Sequence, residues 1–140
     1  MMATEGRGEA ADRIYGQALA CARAALEKKA SDVALLDVGQ LTSLADHFVL
    51  ASGRSDTQVR AIAEAVEQAM VALDRRPLAV EGLRHGQWVL IDYGDVVVHV
   101  FYAPVRDFYD LERLWSRAPR TAITEAGDVV RAGSEREAAR

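Results

Sequence analysis

Cysteine is almost absent. Cys21 is the only one in 140 residues, so there is no internal disulfide and no multi-cysteine zinc or iron–sulfur site. That usage suits a reducing compartment. Positive charge is also short: 17 Lys+Arg against 21 Asp+Glu leave a net charge of −4. Proteins that hold nucleic acid through many phosphates carry surplus Lys and Arg to displace condensed counterions. This chain lacks the surplus and points to neutral or basic partners rather than DNA. Long apolar runs are missing as well. Val96 to Tyr102 is broken by His99 and is far too short to cross a bilayer. Met1 to Asp12 carries Glu5, Glu9 and Asp12 with no apolar run, unlike a signal or transit peptide. A cytoplasmic protein, off the membrane, is expected.

What is present is an ordinary globular balance, 50% hydrophobic and 27% charged, at the length of one domain. Residues 1–9 read as a flexible N-terminus, 10–119 as the folded domain and 120–140 as a mostly disordered tail. Ala10 to Lys29 is expected to be a helix, because Ile14, Ala18, Ala22 and Leu26 recur every four residues. Val33–Val38 and His47–Ser52 have the length and apolar content of strands. Ser55 with Gln58 forms a capping box, followed by Val59, Ile62, Val66, Met70 and Leu73 on one helical face. Pro77–Glu81 is an expected edge strand, since proline cannot donate to a ladder. Gln87–Ile91 and Val96–Tyr102 flank a hairpin turn, Asp92–Tyr93–Gly94–Asp95. Asp107–Ser116 reads as a closing helix, with Phe108, Leu111 and Trp115 at helical spacing. The pattern predicts an α/β (α+β) fold: a single mixed sheet of about five strands flanked by helices.

The chemistry that these residues offer is thin. Cys21 lies among alanines inside a helix, the setting of a buried thiol rather than a nucleophile. His47, His85 and His99 lack the i, i+4 spacing of a helical metal site, and Asp92 and Asp95 read as solvated turn acids. Ser52–Gly53–Arg54–Ser55 leads a strand into a helix, but no Walker lysine follows. No catalytic residue, metal or cofactor is therefore expected. The positive signal is the crowding of Trp88, Tyr93, Phe101, Tyr102, Phe108, Tyr109 and Trp115 in a chain with 6% aromatics. Strand alternation puts Trp88, Leu90 and Asp92 on one face and Val89, Ile91 and Tyr93 on the other. Both faces are apolar enough to need covering, which reads as a binding module.

Two blocks carry a family likeness. One comprises Leu36–Asp37–Val38, the run LTSLADHFVLASGRSD from Leu41 to Asp56, and Gln58 to Ala63. The other comprises Glu81–Gly82, WVLIDYGDVVVHVFY from Trp88 to Tyr102, and RDFYDLERLW from Arg106 to Trp115. Together they closely resemble the ribosomal silencing factor family, also called Iojap-like. The resemblance implies a degenerate nucleotidyltransferase-like fold without the catalytic carboxylates. It also implies a homodimer that binds the large ribosomal subunit through ribosomal protein L fourteen. There it would block joining of the small subunit and repress translation under nutrient limitation. Carried onto this chain, the partner-binding residues are Trp88, Asp92, Asp95, Val97 and His99. The chain departs from the family at His47, where tyrosine is common, and at Pro104, where glutamate is frequent. Two other classes stand against this one: a nucleotidyltransferase-like enzyme and a dimeric adaptor for some other protein.

Overall fold

The computed structural model describes residues 2–124 and 129–131. Helix α1 (Met2–Glu27) runs further toward the N-terminus than the expected Ala10, through residues read as loose. Of the expected row, Ala18 and Ala22 are fully buried and Ile14 and Leu26 only partly, and Cys21 and Ala25 complete the inward face. The helix stops where Lys29 turns left-handed at φ 65° and the Ala30 N–H returns to the Ala25 carbonyl at 3.1 Å.

Strands β1 (Ser31–Asp37) and β2 (His47–Gly53) follow as an antiparallel pair. Ser55 then caps α2 (Asp56–Ala72), accepting the Gln58 N–H at 3.1 Å. The Gln58 side chain completes the box one residue early, accepting from the Arg54 N–H at 2.6 Å. Its amide also donates to the Lys28 and Lys29 carbonyls, each at 3.1 Å, so one residue ties the end of α1 to the start of α2. Val59, Ile62, Val66 and Met70 face inward as their spacing requires, whereas Leu73, expected on the same face, is the C-cap and is exposed. After α2 come β3 (Ala79–Glu81), β4 (Trp88–Asp92) and β5 (Val96–Tyr102).

The sheet order is β3-β4-β5-β2-β1-β6-β7, with β2 and β5 parallel and every other neighbour antiparallel. As Pro77 anticipates, β3 is an edge strand. The hairpin turn between β4 and β5 holds Gly94 at φ +88°. The sheet is mixed, as expected, but has seven strands rather than about five. The extra pair is β6 (Arg120–Ile123) and β7 (Val129–Arg131), which lie in the segment expected to be a tail. β6 adds to the free edge of β1, pairing Ala34 with Ala122 and Leu36 with Arg120, and it buries Thr121 and Ile123.

The closing helix is also corrected. It breaks at Asp110, which is left-handed at φ 47°, into α3 (Ala103–Tyr109) and α4 (Leu111–Leu114). The break moves Phe108 off the Leu111 and Trp115 face, and Phe108 is 80% exposed.

Helices α1 and α2 cover one sheet face, packing on Val33, Leu35, Val49, Val89, Ile91, Val98 and Val100. The opposite face carries Leu36, Phe48, Leu50, Val97 and Phe101, and the α3–α4 segment covers it only in part through Val105, Leu111 and Trp115. Burying both faces this way explains the near-continuous apolar reading of β2 and β5.

One glycine in the β3–β4 connection has no substitute. Gly82 sits at φ +81°, and a Cβ there would lie 2.0 Å from the Trp88 carbonyl oxygen. Gly82→Ala is expected to lower stability by at least about 1–3 kcal/mol, through backbone strain and displacement of β4. Urea unfolding checks it, and a variant within about 0.5 kcal/mol of wild type would refute it.

Candidate functional site

The half-covered face of the sheet gathers most of the sequence-derived candidates. Pairing of β4 with β5 sets Trp88 opposite Phe101, Leu90 opposite His99 and Asp92 opposite Val97. On the other side of β5, β2 sets Leu50 beside His99 and Phe48 beside Val97. Trp88, Asp92, Val97 and His99 therefore share one surface, as alternation requires. Val97 and His99 are buried within it, while Trp88, Leu90 and Asp92 are half-buried toward its edge.

The rings on this surface form a continuous cluster. Trp88 lies 4.9 Å from Phe101, 5.1 Å from Tyr109 and 6.0 Å from His99, centroid to centroid. His99 stacks on Phe101 at 6.1 Å and meets Phe48 edge-on at 5.1 Å, and Phe48 meets Trp115 at 5.1 Å. The separations lie in the range of aromatic pairs, with the Phe48 pairs edge-on and the Trp88 pairs tilted at intermediate angles. The Trp88 indole Nε1–H donates to His99 Nδ1 at 3.1 Å. Beyond the rings, Phe108, Tyr109 and Leu114 are 80%, 55% and 78% exposed. Phe108 extends the cluster outward through its edge-on contact with Tyr109 at 5.1 Å.

Asp92 and Asp95, neighbours in the turn, have different tasks. Asp92 accepts the Gly94 N–H at 2.7 Å and holds the turn closed at the edge of the aromatic face. The Asp95 carboxylate pairs with Arg75 at 3.0 Å, beyond the end of α2. Arg75 also donates to the Tyr93 carbonyl at 2.8 Å and to Gln17 at 2.6 Å, and its guanidinium lies 5.8 Å from the Tyr93 ring centre. Asp95 is thus engaged on the helical side, apart from the Trp88 surface. His47 is also on that side, its ring 5.6 Å from Tyr15 of α1. Burial pushes the Cys21 thiol up to about 12, so it stays protonated inside α1. Among the described residues, no group of three or more His, Cys, Asp or Glu is placed to hold a metal ion. No helix among them is long and apolar enough to cross a membrane.

Arg106 opens the second family block's last run but was not among the candidate site residues. It is 8% exposed. Its guanidinium bonds Glu112 at 2.7 Å, the Asp32 carbonyl at 2.6 Å and Ser52 Oγ at 2.9 Å. It fastens the α3–α4 segment, with Tyr109 and Trp115, to the start of β1 and the end of β2.

Burial pulls His99 down to about 4, with the Asp92 carboxylate opposing the shift. The unfolded chain, with an ordinary histidine near 6.5, therefore takes up a proton before the folded chain does. Stability present above pH ~6.5 is expected to fall as pH drops toward ~4, by about 3 kcal/mol for this group. Urea midpoints across that range check it: His99→Phe should flatten this part of the slope, and an unchanged slope would refute it.

The comparisons with known proteins agree with one another. A family model described as "Ribosomal silencing factor during starvation" matches residues 11–140. A ribosomal silencing factor of Chromobacterium violaceum is 44% identical over 99 residues, 70% of this chain and 81% of that protein. One from Bacillus subtilis is 41% identical over 93 residues, 66% of this chain and 79% of that protein. The chloroplastic Iojap protein of Zea mays is 33% identical over 101 residues, 72% of this chain but 44% of that longer protein. A crystal structure of a Chromobacterium violaceum protein superposes with a TM-score of 0.69 at 39% identity, covering 75% of this chain and 85% of that one. Motif order, overall sequence and backbone all converge, and the chain belongs to the ribosomal silencing factor family.

Proposed function

We propose that this protein is a cytoplasmic ribosomal silencing factor that docks on the large subunit through ribosomal protein L fourteen. Seated there, it blocks joining of the small subunit and represses translation under nutrient limitation. The observation that carries the reading is the aromatic face around Trp88, half-covered by its own chain and edged by the Asp92 carboxylate. An apolar anchor with an acid at its rim suits a basic ribosomal protein, and the net charge of −4 assists the encounter. In free solution a second copy covers the same kind of surface, giving a homodimer with two-fold symmetry.

Nucleotidyl transfer is not expected of it. Two metal ions on a triphosphate need converging carboxylates, and Asp92 and Asp95 are held apart by the Gly94 N–H and by Arg75.

The test is co-sedimentation with purified large subunits, followed by subunit joining. Asp92→Lys reverses the rim charge but also removes the turn cap, whereas Asp92→Asn keeps an oxygen for the Gly94 N–H. Binding is expected to fall at least about tenfold for Asp92→Lys and less for Asp92→Asn, most steeply at low salt. Wild-type protein that ignores large subunits, or a folded Asp92→Lys that binds like wild type, would refute the reading.

A further inference from the structure

His99 is 5% exposed, and its two ring nitrogens have different fates. Nδ1 accepts the Trp88 indole N–H at 3.1 Å, which places the proton of the neutral ring on Nε2. Nε2 is buried and has no hydrogen-bond partner. As a space-filler between Phe48 and Phe101, an imidazole with an orphaned donor is inferior to phenylalanine or leucine. What it supplies that they lack is an acceptor for Trp88. The other contacts of the indole, with Phe101 and Tyr109, are ring packing at 4.9 and 5.1 Å and direct its N–H nowhere. The shift of His99 to about 4 keeps the imidazole neutral, and so able to accept, throughout the physiological range.

We propose that His99 is a positioning residue for partner binding: by accepting the Trp88 Nε1–H it locks the indole in one orientation before the partner arrives. This inference rests on the reading of Trp88 as the docking anchor. Its physical content is preorganisation. A side chain already held in its bound rotamer loses less freedom on association, and that difference appears as affinity.

The test uses the full chain, with the two indole N–H signals resolved by NMR and assigned through Trp115→Phe. His99→Phe keeps a ring in the stack and deletes the acceptor. His99→Asn places its Oδ1 near the position of Nδ1 and keeps an acceptor. In His99→Phe the Trp88 indole hydrogen is expected to exchange at least about tenfold faster, and affinity for large subunits to fall about three- to tenfold. His99→Asn should recover most of both, which a purely structural role would not give. On a Trp88→Phe background, adding His99→Phe should weaken binding no further, because His99 acts through the indole. Unchanged indole exchange in His99→Phe, equal losses in the Phe and Asn variants, or additive losses in the double variant would each overturn the proposal. If wild type itself does not bind large subunits, the docking reading falls first, and indole exchange alone decides whether His99 holds Trp88. Should His99→Phe fail to fold, His99→Leu, which also lacks an acceptor, takes its place in each comparison.

Discussion

Trp88→Ala is expected to leave a folded protein that no longer co-sediments with large subunits and no longer prevents subunit joining. Trp88 is half-buried, so its removal opens a surface hollow rather than a closed cavity. The folding cost comes from lost ring contacts with Phe101 and Tyr109 and from the stranded Nδ1 of His99. It should therefore lie below the roughly 3–5 kcal/mol of a fully buried aromatic truncation. The binding cost is of another size. A central aromatic anchor contributes at least about 2 kcal/mol, or roughly thirtyfold in affinity, when it is cut back to alanine. Circular dichroism with urea unfolding separates the two effects. A folded Trp88→Ala protein that binds and blocks joining like wild type would remove Trp88 from the interface. A variant that unfolds would show the indole to be core.

The legibility of this surface in the sequence follows from strand geometry. A period of two is rigid, so the alternation Trp88, Leu90, Asp92 specified the face before any packing was known. Pro77 at an edge, Ser55 at a cap and Gly94 in a hairpin turn were equally local, each a backbone demand met by one residue type. Non-local facts did not show. Phe108, Leu111 and Trp115 obey a helical period, yet the chain turns left-handed at Asp110, and the segment is held to the sheet by Arg106, a tertiary contact that the period does not encode. β6 is only four residues long and lies beyond a proline, so Thr121 and Ile123 fell within the segment expected to be a tail. Only the unpaired edge of β1 makes them a strand. Asp95 stood next to Asp92 in a list of acids, and nothing local announced that Arg75 would take it to the opposite side.

Arg106→Met is expected to be the most damaging single change to the framework behind the site, costing about 3–5 kcal/mol. Methionine replaces the aliphatic stem of the side chain but stops short of the guanidinium and supplies none of its donors. The Asp32 carbonyl would then lack the bond it accepts at 2.6 Å, in a residue already held left-handed at φ 49°. Ser52 Oγ, in a residue 1% exposed, would lose its bond from the guanidinium, and Glu112 would lose its counter-charge. Leaving buried polar groups unmatched is costlier than never having placed them there. For a chain of this size the loss corresponds to a melting temperature lower by about 10 °C or more. Glu112→Gln should cost less, because the amide oxygen still accepts from the guanidinium and only the counter-charge is lost. The functional consequence follows from what Arg106 fastens. Tyr109 lies against Trp88 and Trp115 against Phe48, so releasing α3–α4 removes two walls of the aromatic cluster even where the sheet survives. Arg106→Met protein held at a temperature where it remains folded should therefore bind large subunits more weakly than wild type. It should do so although Arg106, being buried, offers the partner almost no surface of its own. A variant that melts within about 3 °C of wild type, or that is destabilised yet binds with wild-type affinity, would show that the guanidinium does not hold this wall in place.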